Sequence, residues 1–273
     1  MLLSHSGLKN GLVSRLWGHR ASAPNFAEPA YLSLPPGKSL LHVTHWKAGS
    51  QWIRRILQDA FGPAIEPPAT HTAHVFEHPV KEGKVYPCVY VNKHEFDCLS
   101  LPEQCSAFVV IRDLRDTLVS GYFSWRYSHR IEWFPMEKCR RVLNQLSEEE
   151  GLLYMFDEFL PKAALMQRTW LESGARCWKL EDFTTDAAGN MKEVLEDLEI
   201  AVDQPFLEEI VGRNSFCNLS GGRPAGQEDL ESHYRKGVAG DWKAHFTPGI
   251  KARFKQLYND LLIQAGYESN SDW

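Results

Sequence analysis

Long apolar runs are missing from this chain of 273 residues. Nowhere do the roughly 20 successive apolar residues of a membrane-spanning helix occur. Cysteine is sparse. The six, Cys88, Cys98, Cys105, Cys139, Cys177 and Cys217, include no CxxC pair and lack the density of a disulfide framework, so buried thiols in a reducing, cytoplasmic setting are expected. There is no HExxH, no Walker GxxxxGK[ST] and no GxSxG elbow. Their absence argues against zinc hydrolases, ordinary ATPases and serine hydrolases. Positive charge is not in excess either: 30 basic against 35 acidic residues leave a net −5. No whole-molecule field draws nucleic acid or an anionic membrane, so neither is expected as a partner, and anion binding must come from locally clustered cations.

With 43% hydrophobic residues the chain can bury a full core. Residues 1–38 carry Lys9, Arg15, Arg20, Pro24, Pro29, Pro35 and Pro36 without a sustained apolar stretch, and are read as an extension before a single domain at 39–273. His71, His74, Glu77 and His78 sit among Pro63, Pro67, Pro68 and Pro79. That segment is read as a loop over a polar substrate rather than a metal site.

Short apolar runs at Ser39–Thr44, Val85–Val91, Ala107–Ile111 and Ala175–Leu180 alternate with stretches of helical periodicity. They include Trp52, Ile53, Ile56, Leu57, Ala60 and Phe61, then a long stretch over Glu148–Leu171 and a last helix around Pro248–Ala265. The pattern predicts an α/β fold with a central parallel sheet covered by helices on both faces. Residues Asn214–Gly240 read as a loop or lid.

Three islands stand out. Thr44-His45-Trp46-Lys47-Ala48-Gly49-Ser50-Gln51-Trp52 joins a strand to a helix. In such a turn backbone N–H groups and the helix N-terminus point outward together as an anion site. Gly49 lets the backbone come close, Lys47 supplies a cation, and Ser50 can cap and donate. The lysine precedes the glycine, unlike the Walker order, which also needs Ser or Thr directly after lysine to hold magnesium. Arg112 closes the third strand, and Ser120 follows two helical turns later. The third island is Arg235-Lys236-Gly237-Val238-Ala239-Gly240-Asp241-Trp242-Lys243.

These islands resemble, in order, the signatures of the cytosolic-type sulfotransferases that use 3′-phosphoadenosine 5′-phosphosulfate (PAPS). HWKAGSQW matches their first, IRDLRDTLVSGYF their second, and RKGVAGDWKAHFT their third. The likeness spans about residues 39–268. It implies a P-loop-like α/β sulfotransferase fold, PAPS as co-substrate, 3′,5′-adenosine bisphosphate (PAP) as product, and no metal. It implies that Lys47, Ala48, Gly49, Ser50, Gln51 and Trp52 hold the 5′-phosphosulfate and the adenine face. Arg112, Ser120, Arg235, Lys236 and Gly237 then bind the 3′-phosphate, and Phe216 stacks on the base. Asn214 and Leu180 depart from the family's hydroxyl residue and tyrosine at those positions.

Sulfuryl transfer needs an aligned acceptor, a base, and cations at the departing phosphate oxygen. The family's KxH-like motif implies His94 as base with Lys93 beside Lys47 at the leaving group; Glu95 is the alternative base. A small-molecule hydroxyl or amine acceptor is expected, facing candidates such as His71, His74, Tyr122, Phe123, Trp125, Tyr127, Trp133 and Phe134, about half of them structural. The family's dimer motif keeps Lys243 and Thr247, while Pro248 and Ala252 replace its valine and glutamate. Monomer and homodimer stay open. The rival readings are a P-loop-type kinase or NTPase and a non-catalytic nucleotide-binding protein of the same fold.

Overall fold

A computed structural model of the chain describes residues 31–68, 74, 76, 78–131 and 134–273. Residues 1–30, His71, Glu77 and Trp133 lie outside the described residues. Tyr31–Trp273 form one compact unit. It begins before the expected boundary at residue 39, because Leu32 and Leu34 pack on the core and the Leu32 amide donates to the Ala60 carbonyl at 2.7 Å.

Strands β1 (Ser39–Thr44), β2 (Val85–Val89), β3 (Cys105–Ile111) and β4 (Cys177–Lys179) pair in parallel in the order β2-β1-β3-β4. Every residue of β1 is buried. A central parallel strand is covered on both faces and therefore reads as a continuous apolar run. Alternate side chains divide between two clusters, as the two-residue strand period requires. Leu40, Phe108 and Val110 join one; Leu41, Val43, Val109 and Ile111 join the other.

On the first face lie α1 (Ser50–Phe61), α8 (Ala187–Asp197) and α9 (Gln204–Arg213), through Ile53, Ile56, Leu57, Met191, Leu195 and Leu207. Met166 and Trp170 of α6 (Leu160–Glu172) cover the second. Behind them α3 (Leu114–Phe123), α5 (Glu148–Glu158), α6 and α11 (Pro248–Gln264) form a further core around Tyr122, Phe156 and Phe254. The short α2 (Lys93–Asp97), then α4 (Phe134–Leu143), α7 (Leu180–Thr185) and α10 (Phe216–Leu219) complete the elements used below.

The helical stretch Glu148–Leu171 divides into α5 and α6, because Pro161 at the start of α6 has no N–H to continue the ladder from α5. Two expected boundaries move. The second strand stops at Val89 ahead of the Asn92 cap of α2, and the fourth stops at Lys179 because Leu180 opens α7. The 214–240 segment is irregular apart from α10 and is pinned from within. Arg223 donates to the carbonyls of Gln227, Tyr234 and Arg235 at 2.7, 2.6 and 3.1 Å. Thr247 caps α11, accepting from the Ile250 amide at 3.3 Å and donating to Glu149 Oε1 at 2.5 Å.

Candidate active site

Beyond the C-terminal ends of β1 and β3 lies a cavity of about 540 Å³. The three islands meet there. Lys47, Gly49, Ser50, Gln51, Trp52, Arg112, Ser120, Phe216, Arg235, Lys236 and Gly237 all line it. Ala48 does not: it is fully buried beneath the loop, its amide donating to the His45 carbonyl at 3.3 Å.

The loop between β1 and α1 is shaped by two left-handed residues, Lys47 at φ 70° and Gly49 at φ 70°. Arg112 Nη1 donates to the Lys47 carbonyl at 3.0 Å, so the second island holds the first in this conformation. A Cβ on Gly49 would collide with Leu180, and one on Gly237 with the ring of Phe216. Both glycines are therefore required by close approach as well as by their positive φ. Tyr90 donates to Ser50 Oγ at 2.9 Å, and the Trp52 indole donates to the Asn214 carbonyl at 2.8 Å. That bond ties α1 to the start of the 214–240 segment.

Lys47, Arg112 and Arg235 share one electrostatic neighbourhood. Burial, with the charges of Arg112 and Arg235 adding to it, lowers the Lys47 ammonium to about 8. Three mutually repelling cations around one cavity are stabilised by an anion placed among them.

The cation cluster of the third island is held by acids, of which Asp241 and Asp116 lie inside the quoted motifs but were given no role there. Asp241 accepts from Arg235 and Lys236, and Arg235 also pairs with Glu228. Burial pushes the Asp241 carboxyl up, but hydrogen bonds from His245, Lys236 and Arg235 together outweigh it and hold the group well below the usual range. Asp116, 1% exposed, accepts from the amides of Gly240 at 2.7 Å and Trp242 at 2.9 Å. Its signal in the sequence was its place four residues after Arg112, with which it pairs at 3.9 Å although Arg112 itself precedes α3.

Lys93 and His94 are not among the residues lining the cavity. Asn92 Oδ1 accepts from the Glu95 amide at 3.0 Å while Glu95 Oε2 accepts from the Asn92 amide at 2.9 Å. This reciprocal capping box turns the segment into α2 and leaves His94 and Glu95 exposed. Lys93 pairs with Asp97 and lies 5.8 Å from the Trp170 ring. The histidines that do line the cavity are His129 and His233. His233 opens onto the cavity, yet the surrounding protein lowers its imidazole to about 4, with Lys47, His129 and Arg55 adding to that burial effect.

Of the expected acceptor-side aromatics, Tyr122 and Phe123 are buried in the helical core, and Trp125 packs against Phe159 with ring centroids 5.5 Å apart. Tyr127 stacks on Phe123 at 6.2 Å, and His74 lies edge-on to Tyr86 at 5.1 Å. The cavity instead takes Trp46 and Tyr90, stacked at 5.2 Å. Among the described residues no group of three His, Cys, Asp or Glu side chains is arranged to hold a metal, and no helix is long and apolar enough to cross a membrane.

Comparison with known proteins fits this geometry. Human sulfotransferase 1C2 is 22% identical over 256 residues, covering 80% of this chain and 81% of its own. Cytosolic sulfotransferase 3 of Arabidopsis thaliana is 22% identical over 259 residues, covering 84% and 78%. The crystal structure of mouse sulfotransferase SULT7A1 complexed with PAP superposes with a TM-score of 0.62 at 17% identity, over 85% of this chain and 86% of that one. Retinol dehydratase with androsterone and inactive cofactor PAP gives 0.55 at 14% identity, over 84% and 82%. The family model of the sulfotransferase domain matches residues 96–266, and the chain belongs to that family.

Proposed function

We propose that the chain transfers the sulfuryl group of PAPS to a hydroxyl or amine of a small-molecule acceptor, releasing PAP. The observation that carries this reading is the meeting of Lys47–Trp52, Arg112 with Ser120, and Arg235–Lys236 on one cavity. The residues present fit the nucleotide. Backbone amides and Lys47 suit the 5′-phosphosulfate, and Arg112, Ser120, Arg235 and Lys236 suit the 3′-phosphate. The close approach of Gly237 to Phe216 leaves an aromatic face for the base. The PAP named in the similar structures supports the same assignment.

In the proposed reaction the acceptor oxygen or nitrogen forms a bond to sulfur as the bond from sulfur to the 5′-phosphate oxygen breaks. Lys47 neutralises the departing oxygen, and a base takes the acceptor's proton. His94, the base implied by resemblance, stands exposed on α2 away from the cavity lining. His233 lines the cavity beside Lys47, is neutral at physiological pH, and makes no hydrogen bond from its ring to the described residues. That observation favours His233 as the base.

Two measurements test the reading. PAP is expected to raise the melting temperature well above the effect of ATP with magnesium, since only the preferred ligand shifts the folding equilibrium strongly. A larger shift with Mg·ATP sinks the sulfotransferase assignment in favour of an NTPase. Transfer of labelled sulfate from PAPS to a panel of phenols, alcohols and amines is then compared in His233→Ala and His94→Ala. The expected outcome is a loss of roughly a hundredfold or more in turnover for His233→Ala, unchanged PAP binding in both, and near-normal turnover for His94→Ala. The reverse pattern returns the base to α2.

A further inference from the structure

The C-terminal segment 267–273 lies far in sequence from the phosphate-binding islands, yet it is bonded to their supports. Arg115, 2% exposed, sits in the corner of two perpendicular indole rings. Its guanidinium carbon is 4.0 Å from the centroid of Trp242 and 4.5 Å from that of Trp273. The two rings are 5.5 Å apart at 88°. The same guanidinium is bound by Asp113 on one side, at 2.7 Å, and by Glu268 of the tail, at 2.5 Å. One residue earlier, Tyr267 donates to Glu181 Oε2 at 2.9 Å, and Glu181 Oε1 accepts from the Asp113 amide at 3.1 Å.

The tail is fixed in turn by α11. Trp273 Nε1 donates to Asn259 Oδ1 at 2.8 Å, Asn259 Nδ2 donates to Ser271 Oγ at 2.8 Å, and Lys255 Nζ donates to the Ser271 carbonyl at 2.6 Å. Lys251 and Lys255 flank the Trp273 ring at 5.2 and 5.0 Å. A tryptophan held by that many groups is an ordered part of the fold; its ring packs edge-on against Phe254 at 6.1 Å and, toward the phosphate-binding islands, against the Arg115–Trp242 pair.

Trp242 directly follows Asp241, the carboxylate that holds both Arg235 and Lys236. Its amide and that of Gly240 are gripped by Asp116. Chain direction and packing thus connect Trp273 to the two cations through Arg115, Trp242 and Asp241. We propose that the 267–273 tail is a positioning clamp for the 3′-phosphate-binding strap, residues 235–242, with Trp273 and Glu268 as its contact residues. The clamp rests on the proposed assignment of Arg235 and Lys236 to the 3′-phosphate. Trp273 is a positioning residue: it lies outside the cavity lining and acts through the ring and the carboxylate that follow in line. Arg115 between two indoles is a cation–π arrangement strengthened by burial. Removing one ring gives Trp242, and Asp241 beside it, room to shift.

The test compares PAP with 5′-AMP, which lacks the 3′-phosphate, by titration calorimetry on the full chain. In Trp273→Ala the dissociation constant for PAP is expected to rise about tenfold while that for 5′-AMP stays within about twofold. Trp273→Phe, which keeps a ring over Arg115, restores PAP binding to within about threefold of the starting protein. Val194→Ala, a core change in α8 away from the strap, lowers the melting temperature without altering either affinity, and so separates lost stability from lost positioning. Equal weakening of PAP and 5′-AMP in Trp273→Ala, or no weakening of either, overturns the clamp. A starting protein that does not prefer PAP to 5′-AMP refutes instead the assignment of the strap to the 3′-phosphate, and is told apart because it appears before any substitution is made.

Discussion

Lys47 holds a left-handed backbone at φ 70°, a conformation that costs a non-glycine residue about 1–2 kcal/mol. The Arg112 bond to its carbonyl and the neighbouring Gly49 keep it there. Its ammonium, lowered to about 8 by burial and by the two arginines, is charged over most of the neutral range. A bound phosphate raises that value again, so binding takes up a proton once the free protein has lost it. The sign follows directly. Affinity for PAP holds its full Lys47 contribution below about pH 8 and declines above it, by up to tenfold per pH unit until the bound-state value is passed. Lys47→Ala is expected to weaken PAP binding at pH 7 by roughly ten- to a hundredfold, the value of one charge-assisted hydrogen bond. It also flattens the alkaline limb. Titration calorimetry between pH 7 and 9.5 reads both effects, and an alkaline limb that persists in the variant assigns it to another group.

At the scale of elements, the strand–loop–helix around Lys47 was legible because a buried parallel strand is a run of apolar residues and its exit glycine has one conformational job. The break of Glu148–Leu171 into two helices was carried by Pro161 alone, since the apolar spacing continues through it and only the missing proline N–H marks the boundary. The segment Asn92–Glu95 carried a signal that outweighs its likeness to a catalytic motif: a cap residue with glutamate three positions on is a helix start. The tail's part in the strap left no trace at all, because Arg115 and Glu268 are 153 residues apart and no local periodicity marks such a pair. The strap itself depends on a single carboxylate from α3. In Asp116→Ala the Gly240 and Trp242 amides lose their acceptor, which costs roughly 2 kcal/mol for one part-buried and one buried donor. The melting temperature is expected to fall by roughly 4–8 °C for a chain of this size. PAP affinity should drop about tenfold in the same variant, by the route through Asp241. A variant that loses stability with PAP binding intact would separate α3 from the strap's function.

Two titratable rings at the heart of the molecule, on β1 and just after it, cannot be protonated without opening it. His42, fully buried on β1 and stacked on Phe108 at 4.9 Å, is lowered by burial to about 3. His45, 1% exposed, is lowered to about 4 by burial, with Arg112 adding to it and the bond to the Trp46 carbonyl opposing. In the unfolded chain both titrate near 6.5. Between those values the unfolded chain binds more protons than the native one, so stability falls as pH falls from about 6.5 and is full above it. Each ring contributes about 1.4 kcal/mol of loss between pH 7.5 and 5.5. His245 works the other way: its bond to Asp241 raises it, so its contribution is complete at low pH and disappears as pH rises. His74 and His233, each lowered to about 4 mainly by burial, add to the loss, so one opposing group against four leaves a net loss of roughly 3–4 kcal/mol over that range, the two partly exposed rings counting for less. Urea unfolding should therefore show a lower midpoint at pH 5.5 than at 7.5. His42→Asn keeps an acceptor facing the Cys88 amide, which donates to His42 Nδ1 at 3.4 Å, but cannot take up charge. It is expected to be less stable than the parent at pH 7.5 and to lose roughly a third of the pH dependence, whereas an undiminished difference between the two pH values would mean that the acid sensitivity lies outside the sheet that supports the site.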